Sequence, residues 1–211
     1  MTAQLPLTSA AMAAKTALLE AIAAAPKPGG LPDASKEIEQ CITQLEVHNP
    51  IAVPTGEAEL LSGNWRTLYT TNQELMNLGR AIPGFKTDGI YQCIWAEKQL
   101  LCNVGKIDGL PYLGGFVAVR ATFDVLSDVR VKVNFTQAMI GSQAIANFTL
   151  DSFLSLMEYR PKQIPAVKIK FSEQREQKGW LDITYLDLDL RVGRGNQGNV
   201  FVLERVNSPA T

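Results

Sequence analysis

The fold is decided by the stretch Val119-Arg120-Ala121-Thr122-Phe123-Asp124-Val125, the break Leu126-Ser127-Asp128, and Val129-Arg130-Val131-Lys132-Val133-Asn134-Phe135-Thr136. Apolar and polar side chains alternate on both sides of a short polar break, which is the period of two half-buried antiparallel strands. A three-residue loop at 126–128 sets Val125 opposite Val129, Phe123 opposite Val131 and Val119 opposite Phe135. All the apolar side chains then share one face. A two-residue loop would place charged residues on that face, so the odd loop is expected.

The same alternation extends outward from this hairpin. Val167, Ile169 and Phe171 alternate with Lys168, Lys170 and Ser172, and Leu181, Ile183 and Tyr185 with Asp182 and Thr184. A last pair, 190–194 and 199–206, flanks Gly195-Asn196-Gln197-Gly198, which is turn chemistry. Upstream, 65–70, 89–96 and 99–107 also read as strands. Eight or nine short strands follow Leu61 with few helical patterns among them, so the fold class is mainly β, an antiparallel sandwich or closed barrel. An eight-stranded barrel has an interior wide enough for one small ligand. A two-residue turn at Glu97-Lys98 sets Cys93 opposite Cys102, within disulfide reach. The two thiols are either a redox pair or two small buried hydrophobes.

Composition narrows the function. The 211 residues carry 20 basic and 21 acidic side chains, a formal net charge of −1. That length suits one domain with a small helical annex. Near-neutral charge argues against binding nucleic acid by neutralising phosphates. No apolar run reaches the roughly 18 residues of a membrane-spanning helix. With three cysteines, one histidine and no CxxC pair, neither a metal site nor a cofactor is expected.

Residues 1–25 are apolar and rich in alanine, but Lys15 interrupts them and no Arg precedes Arg66. Neither a secretory signal nor a transit peptide has that pattern. The spacing predicts a helix over 9–25 capped by Ser9, docked on the domain or touching a bilayer, and ended by Pro26, Pro28, Gly29 and Gly30. A second is predicted over 33–47, capped by Asp33, with Ile38, Cys41, Ile42 and Leu45 on one face. Asn49-Pro50 stops it, and 50–59 reads as a linker. The expected organisation is a helical segment and linker at 1–60, a barrel at 61–206 and a disordered tail at 207–211.

The region 138–165 breaks the alternation. Phe148, Leu150, Phe153, Leu154, Leu156 and Met157 make a dense apolar cluster, read as a plug in one barrel end, a lid over a ligand mouth, or a membrane-touching patch.

No nucleophile and base stand together, because the one histidine, His48, lies at the end of the second helix. The string Gly193-Arg194-Gly195-Asn196-Gln197-Gly198 matches GxGxxG but joins two strands, so it is a turn. Asp182, Asp187, Asp189, Arg191 and Arg194 form an acidic-basic series. Extended parity puts Asp187, Asp189 and Arg191 on one face, as a buried ion network or a polar anchor for a ligand head group. First and last strands of a closed barrel are neighbours, so Arg205 is expected to lie across the Trp65 indole and close the base. Tyr69, Tyr91, Phe123, Phe135 and Tyr185 are expected to line the interior, with Asp189 and Arg191 near a polar mouth.

Leu61-Ser62-Gly63-Asn64-Trp65-Arg66-Thr67-Leu68-Tyr69-Thr70, Gly89-Ile90-Tyr91-Gln92, and the run from Gly179-Trp180-Leu181-Asp182 through Leu190-Arg191-Val192-Gly193-Arg194 to Gly198-Asn199-Val200-Phe201-Val202-Leu203 resemble the plastid lipid-associated proteins, the plant and cyanobacterial fibrillins. The resemblance covers about residues 11 to 206. It implies a lipocalin-like barrel with two N-terminal helices outside it. It also implies binding or buffering of a carotenoid, prenylquinone or fatty acid, peripheral association with thylakoids or lipid globules, and a part in photoprotection. Without a transit-peptide pattern, the chain resembles a cyanobacterial member on the cytoplasmic side of the thylakoid, or a mature plastid chain in the stroma or on a plastoglobule. No catalytic mechanism carries over. Two rival readings stand beside the carrier: a non-enzymatic adaptor with a filled barrel, docked on a membrane enzyme or photosynthetic complex, and a pigment- or lipid-modifying enzyme using Asp189.

Overall fold

The computed structural model describes residues 7–26, 35–73, 86–108, 115–142, 150–160, 163–164, 166–170 and 178–206. The proposed 207–211 tail, Asp33 and Phe171 lie outside them.

Helix α1 is Ser9–Ala24, and its cap is Thr8 rather than Ser9. Thr8 takes the extended conformation and its Oγ1 accepts from the Ala11 amide at 3.1 Å. Helix α2 is Lys36–Glu46, capped by Ser35 through the Ile38 amide at 3.1 Å, rather than by Asp33. Ser35 leaves Glu37 and Glu39 in the first turn, where carboxylates complement the helix dipole. The expected linker holds a 3-10 turn at Pro54–Gly56 and the short helix α3, Ala58–Leu61.

Among the described residues nine strands follow: β1 Gly63–Thr70, β2 Lys86–Trp95, β3 Leu100–Asp108, β4 Gly115–Val125, β5 Arg130–Ser142, β6 Val167–Lys170, β7 Lys178–Leu186, β8 Leu190–Gly195 and β9 Val200–Val206. Helix α4, Leu150–Tyr159, lies between β5 and β6. All pairings are antiparallel, and β1, β2, β3, β4, β5, β7, β8 and β9 close into an eight-stranded barrel. Closure removes the free edges of those strands. The long strand β5 pairs with β7 through 130–134 and with β6 through 137–140.

The decisive hairpin keeps its faces but not its expected register. Val125 opposes Val131, Phe123 opposes Val133 and Ala121 opposes Phe135, while Val119 opposes Ala138. The loop is two residues longer because Leu126 and Ser127 donate to the Arg130 carbonyl, and the Ser127 hydroxyl accepts from Arg130 N. The Val129 carbonyl meanwhile accepts from Ile183 of β7. A two-residue slip preserves side-chain parity, which is why the apolar face survives. Cys93 opposes Cys102 as expected, but the turn runs from Ala96 to Gln99, with Gln99 left-handed at φ 50°.

Three buried clusters fix which face is which. One gathers Trp65, Ile94, Leu101, Ala121, Phe123, Val131, Val133, Ile183, Leu186 and Leu203 with Leu61 of α3. Its members come from strands around the whole ring, so this is the barrel interior. A second packs Leu18, Ile22, Ile38, Ile42 and Leu45 of α1 and α2 against the outer face of β1, β7, β8 and β9. A third seats Phe153 and Met157 of α4 on the outer face of β2–β5, against Tyr91, Cys93, Cys102, Val104, Phe116, Ala118 and Met139. The Phe116 and Phe153 rings lie 4.2 Å apart. Helix α4 therefore covers the barrel wall from outside; it neither plugs an end nor lies over a mouth. Its end is tied to the β2–β3 turn by Lys98, 2.9 Å from Glu158 Oε1 and 4.7 Å over the Tyr159 ring.

Candidate functional site

The interior has a sealed base and a more open upper part. At the base, Trp65 is fully buried and its indole N–H donates to Leu61 O at 3.0 Å. The Arg205 guanidinium lies 4.2 Å over the ring, as expected, and donates to the carbonyls of Leu60, Ser62 and Leu188. One side chain thus ties α3, β1 and the β7–β8 turn together. Farther up, the inward faces carry Val119, Phe135, Leu181 and Phe201, all only half-buried. At the upper end of β5, Ile140 is 39% exposed, and its cross-strand partner Val167 and the neighbouring Ile169 are more exposed still.

Of the residues expected to line the interior, the structure puts Phe123 and Phe135 on the inward face and Tyr69, Tyr185 and Tyr91 on the outer one. Tyr69 and Tyr185 pack under α1 and α2, and Tyr91 under α4. Two β-bulges are the reason. The β1–β9 register shifts between Thr67 and Tyr69, and the β7–β8 register between Ile183 and Tyr185. Each inserts one residue, which turns the next side chain to the other face. Tyr91 has no such excuse: it opposes Val104 on the face opposite Gln92, which opposes Trp65.

The acidic-basic series is split in the same way. Residues 187–189 form the β7–β8 turn, so Asp187, Asp189 and Arg191 do not share a face. Asp189, 80% exposed in its side chain, stands at this turn beside the sealed base, not at a polar mouth. Asp187 is buried and accepts from Tyr185 Oη at 2.7 Å, Lys15 Nζ at 2.8 Å, and the amides of Asp189 and Leu190. Asp182 pairs bidentately with Arg130 on the outside, at 2.6 and 2.7 Å. Arg194 reaches α2, donating to Glu46 and Glu39 at 2.6 to 3.0 Å. These pairs hold the outer layer to the wall.

Arg191 differs from all of them. It opposes Leu203, so it points into the barrel, and it is 2% exposed. Its guanidinium lies 5.0 Å from the centre of the Trp65 ring and donates to Gln92 Oε1. Gln92 Nε2 in turn donates to Asn103 Oδ1 at 2.9 Å. Among the described residues no carboxylate pairs with Arg191. Burial, with Arg205 beside the same ring, pushes its guanidinium down to about 9. Thr67, one strand away across Leu203, is buried with its hydroxyl unpartnered.

Gln92, Asn103 and Thr67 are absent from the sequence-based expectations. Their signal was a polar residue in an inward series, Gln92 between Ile90 and Ile94 and Asn103 between Leu101 and Gly105.

Among the described residues no group of His, Cys, Asp or Glu is arranged to hold a metal ion, and no helix is long and apolar enough to cross a membrane. Cys93 and Cys102 are free, buried thiols.

No solved structure matches the chain. It is 32% identical over 201 residues to a chromoplast-specific carotenoid-associated protein of Cucumis sativus, covering 83% of this chain and 62% of that protein. It is 30% identical over 197 residues to plastoglobulin-1 of Pisum sativum, a chloroplastic protein, covering 82% and 54%. It is 31% identical over 198 residues to the probable plastid-lipid-associated protein 2 of Arabidopsis thaliana, covering 82% and 64%. The chain spans between about half and two thirds of the length of these relatives. The PAP_fibrillin family model matches residues 12–204. This chain, with its helix-clad antiparallel barrel, belongs to that family, the plastid lipid-associated proteins.

Proposed function

We propose that the protein carries or buffers one small hydrophobic ligand, a carotenoid, prenylquinone or fatty acid, inside its barrel. It does so at the surface of a thylakoid or lipid globule, in the service of photoprotection and without chemistry of its own. The observation that carries this reading is the contrast along the barrel axis. The base is sealed by Trp65, Leu61 and Arg205, whereas the inward side chains Val119, Phe135, Phe201 and Ile140 above it keep accessible surface. Such surface makes burial of an apolar guest favourable by ~25 cal/mol per Å². The carotenoid- and lipid-associated relatives agree with this class of guest. The chloroplast and chromoplast relatives support action in a plastid, with the cytoplasmic face of a cyanobacterial thylakoid as the other proposed site and peripheral attachment in either case.

Extraction of the protein from its native cell, followed by mass spectrometry, tests the reading. A reproducible stoichiometric carotenoid, prenyl lipid or fatty acid is expected. Clean protein from repeated preparations overturns carriage in favour of an adaptor that docks through its outer surface.

A further inference from the structure

Within the carrier reading, on which this inference rests, we infer that the guest is an amphiphile with a single carboxylate, a long-chain fatty acid, bound head-down on Arg191 with its tail toward Ile140. Among the described residues no anion balances the buried Arg191 charge. A buried cation is ordinarily paired, because removing it from water costs several kcal/mol that only an anion and good hydrogen bonds offset. Asp182, Asp187, Glu39 and Glu46 all have cationic partners on the outer face. Arg191 alone of this series points inward, with an amide oxygen and an indole face as its partners. A second guanidinium, Arg205, lies on the same ring and adds to the positive potential.

The neighbouring groups specify the anion. A planar guanidinium matches a carboxylate bidentately, and because the Arg205 donors are taken by the carbonyls of Leu60, Ser62 and Leu188, Arg191 is left as the one guanidinium to receive one negative charge. A phosphate, near two negative charges, would find too few cations here. The Thr67 hydroxyl, without a hydrogen-bond partner among the described residues, supplies a further donor on β1, with β9 between it and Arg191. Gln92 and Asn103, half-buried on the inward face, line the polar level beside Arg191. Val119, the cross-strand partner of Asn103, with Phe135 and Phe201 makes the rest of the inward face apolar, which suits an acyl chain. A carotenoid or quinone of the same shape would fill the apolar level and leave the guanidinium unpaired.

The test compares oleate with oleyl alcohol, which share a tail and differ in head-group charge, by calorimetric titration of the delipidated full chain at neutral pH. Oleate is expected to bind about 10- to 100-fold more tightly, the worth of a charge-assisted pair. Arg191→Met should remove that preference, bringing oleate to the affinity of the alcohol in the same variant, and Thr67→Val should weaken oleate a few-fold. Arg191→Met replaces an unpaired buried charge with an apolar side chain of similar length, so its thermal midpoint should not fall. Should it nevertheless fold poorly, Arg191→Lys, which keeps the charge but loses the fork, should give an intermediate preference. Equal affinity for acid and alcohol in the wild-type chain overturns the inference and leaves carriage standing. So does a preference that survives loss of Arg191. Failure of both amphiphiles to bind also overturns the inference, and carriage of another apolar guest is then decided by the mass spectrometry of the native protein.

Discussion

Lys15 Nζ lies 2.8 Å from Asp187 Oδ2, a contact that joins the first helix to the β7–β8 turn across 172 residues of chain. The same carboxylate holds the Tyr185 hydroxyl and two turn amides. A carboxylate so placed is both the anchor of α1 and the organiser of the turn that leads to Arg191.

Asp187→Asn is therefore expected to cost about 3 kcal/mol in urea unfolding, since it leaves half-buried Lys15 with only the exposed Asp189 carboxylate, 3.7 Å away, and weakens the turn. Asp189→Asn, at an exposed side chain, should stay within about 0.5 kcal/mol. Equal effects at the two positions would remove Asp187 from its role as anchor.

Phenol ionisation gives a second test. The Tyr185 hydroxyl is raised well above 10 by burial and by the Asp187 carboxylate, and Tyr69 is raised by burial and the charge of Glu39. The folded chain keeps these protons where the unfolded chain releases them near pH 10. Stability is therefore intact below about pH 10 and falls as pH climbs past it. Phenolate absorbance should show Tyr69 and Tyr185 ionising only with unfolding, and Tyr69→Phe with Tyr185→Phe should abolish that late component.

The thiols behave in the same sense. Burial beneath α4 pushes Cys93 well above its ordinary value and Cys102 up to about 12. At pH 8 a thiol reagent should modify only the half-buried Cys41 in the native protein. Phe153→Ala, which opens a cavity beside Phe116 and costs about 3–5 kcal/mol, should expose the other two. Fast native modification of Cys93 would mean that α4 does not stay seated.

At the base, Gly63 has φ 130°, and a Cβ there would come within 2.6 Å of Arg205 Nη1. Gly63→Ala should destabilise by about 1–3 kcal/mol through strain and displacement of that guanidinium. Arg205→Ala removes three carbonyl contacts and the stack on Trp65, and a loss of about 2–4 kcal/mol in thermal or denaturant unfolding is expected. A Gly63→Ala chain as stable as the wild type would show that the base tolerates a shifted Arg205.

Much of this architecture was legible residue by residue. The alternation 119–125 and 129–136 identified the hairpin, and the Cys93–Cys102 pairing and the Trp65–Arg205 stack followed from strand adjacency. The candidate site was less legible. Tyr69 and Tyr185 have the parity of inward residues, and a bulge leaves no mark in composition. Arg191 was singled out, but as one of a series. Its difference from Asp187 and Arg194 appears only when each partner is known.

Local preference, then, was enough for the periodicity, the two N-terminal helices and the run of antiparallel strands, because those depend on neighbours a few residues apart; their caps lie one or two residues from the expected positions, and closure into a barrel rests on the distant pairing of β1 with β9. Which face each side chain took after a bulge, what α4 covers, and the isolation of one guanidinium inside the wall were decided by tertiary packing. Those outcomes depend on where residues more than a hundred positions distant come to rest, and no local pattern encodes that.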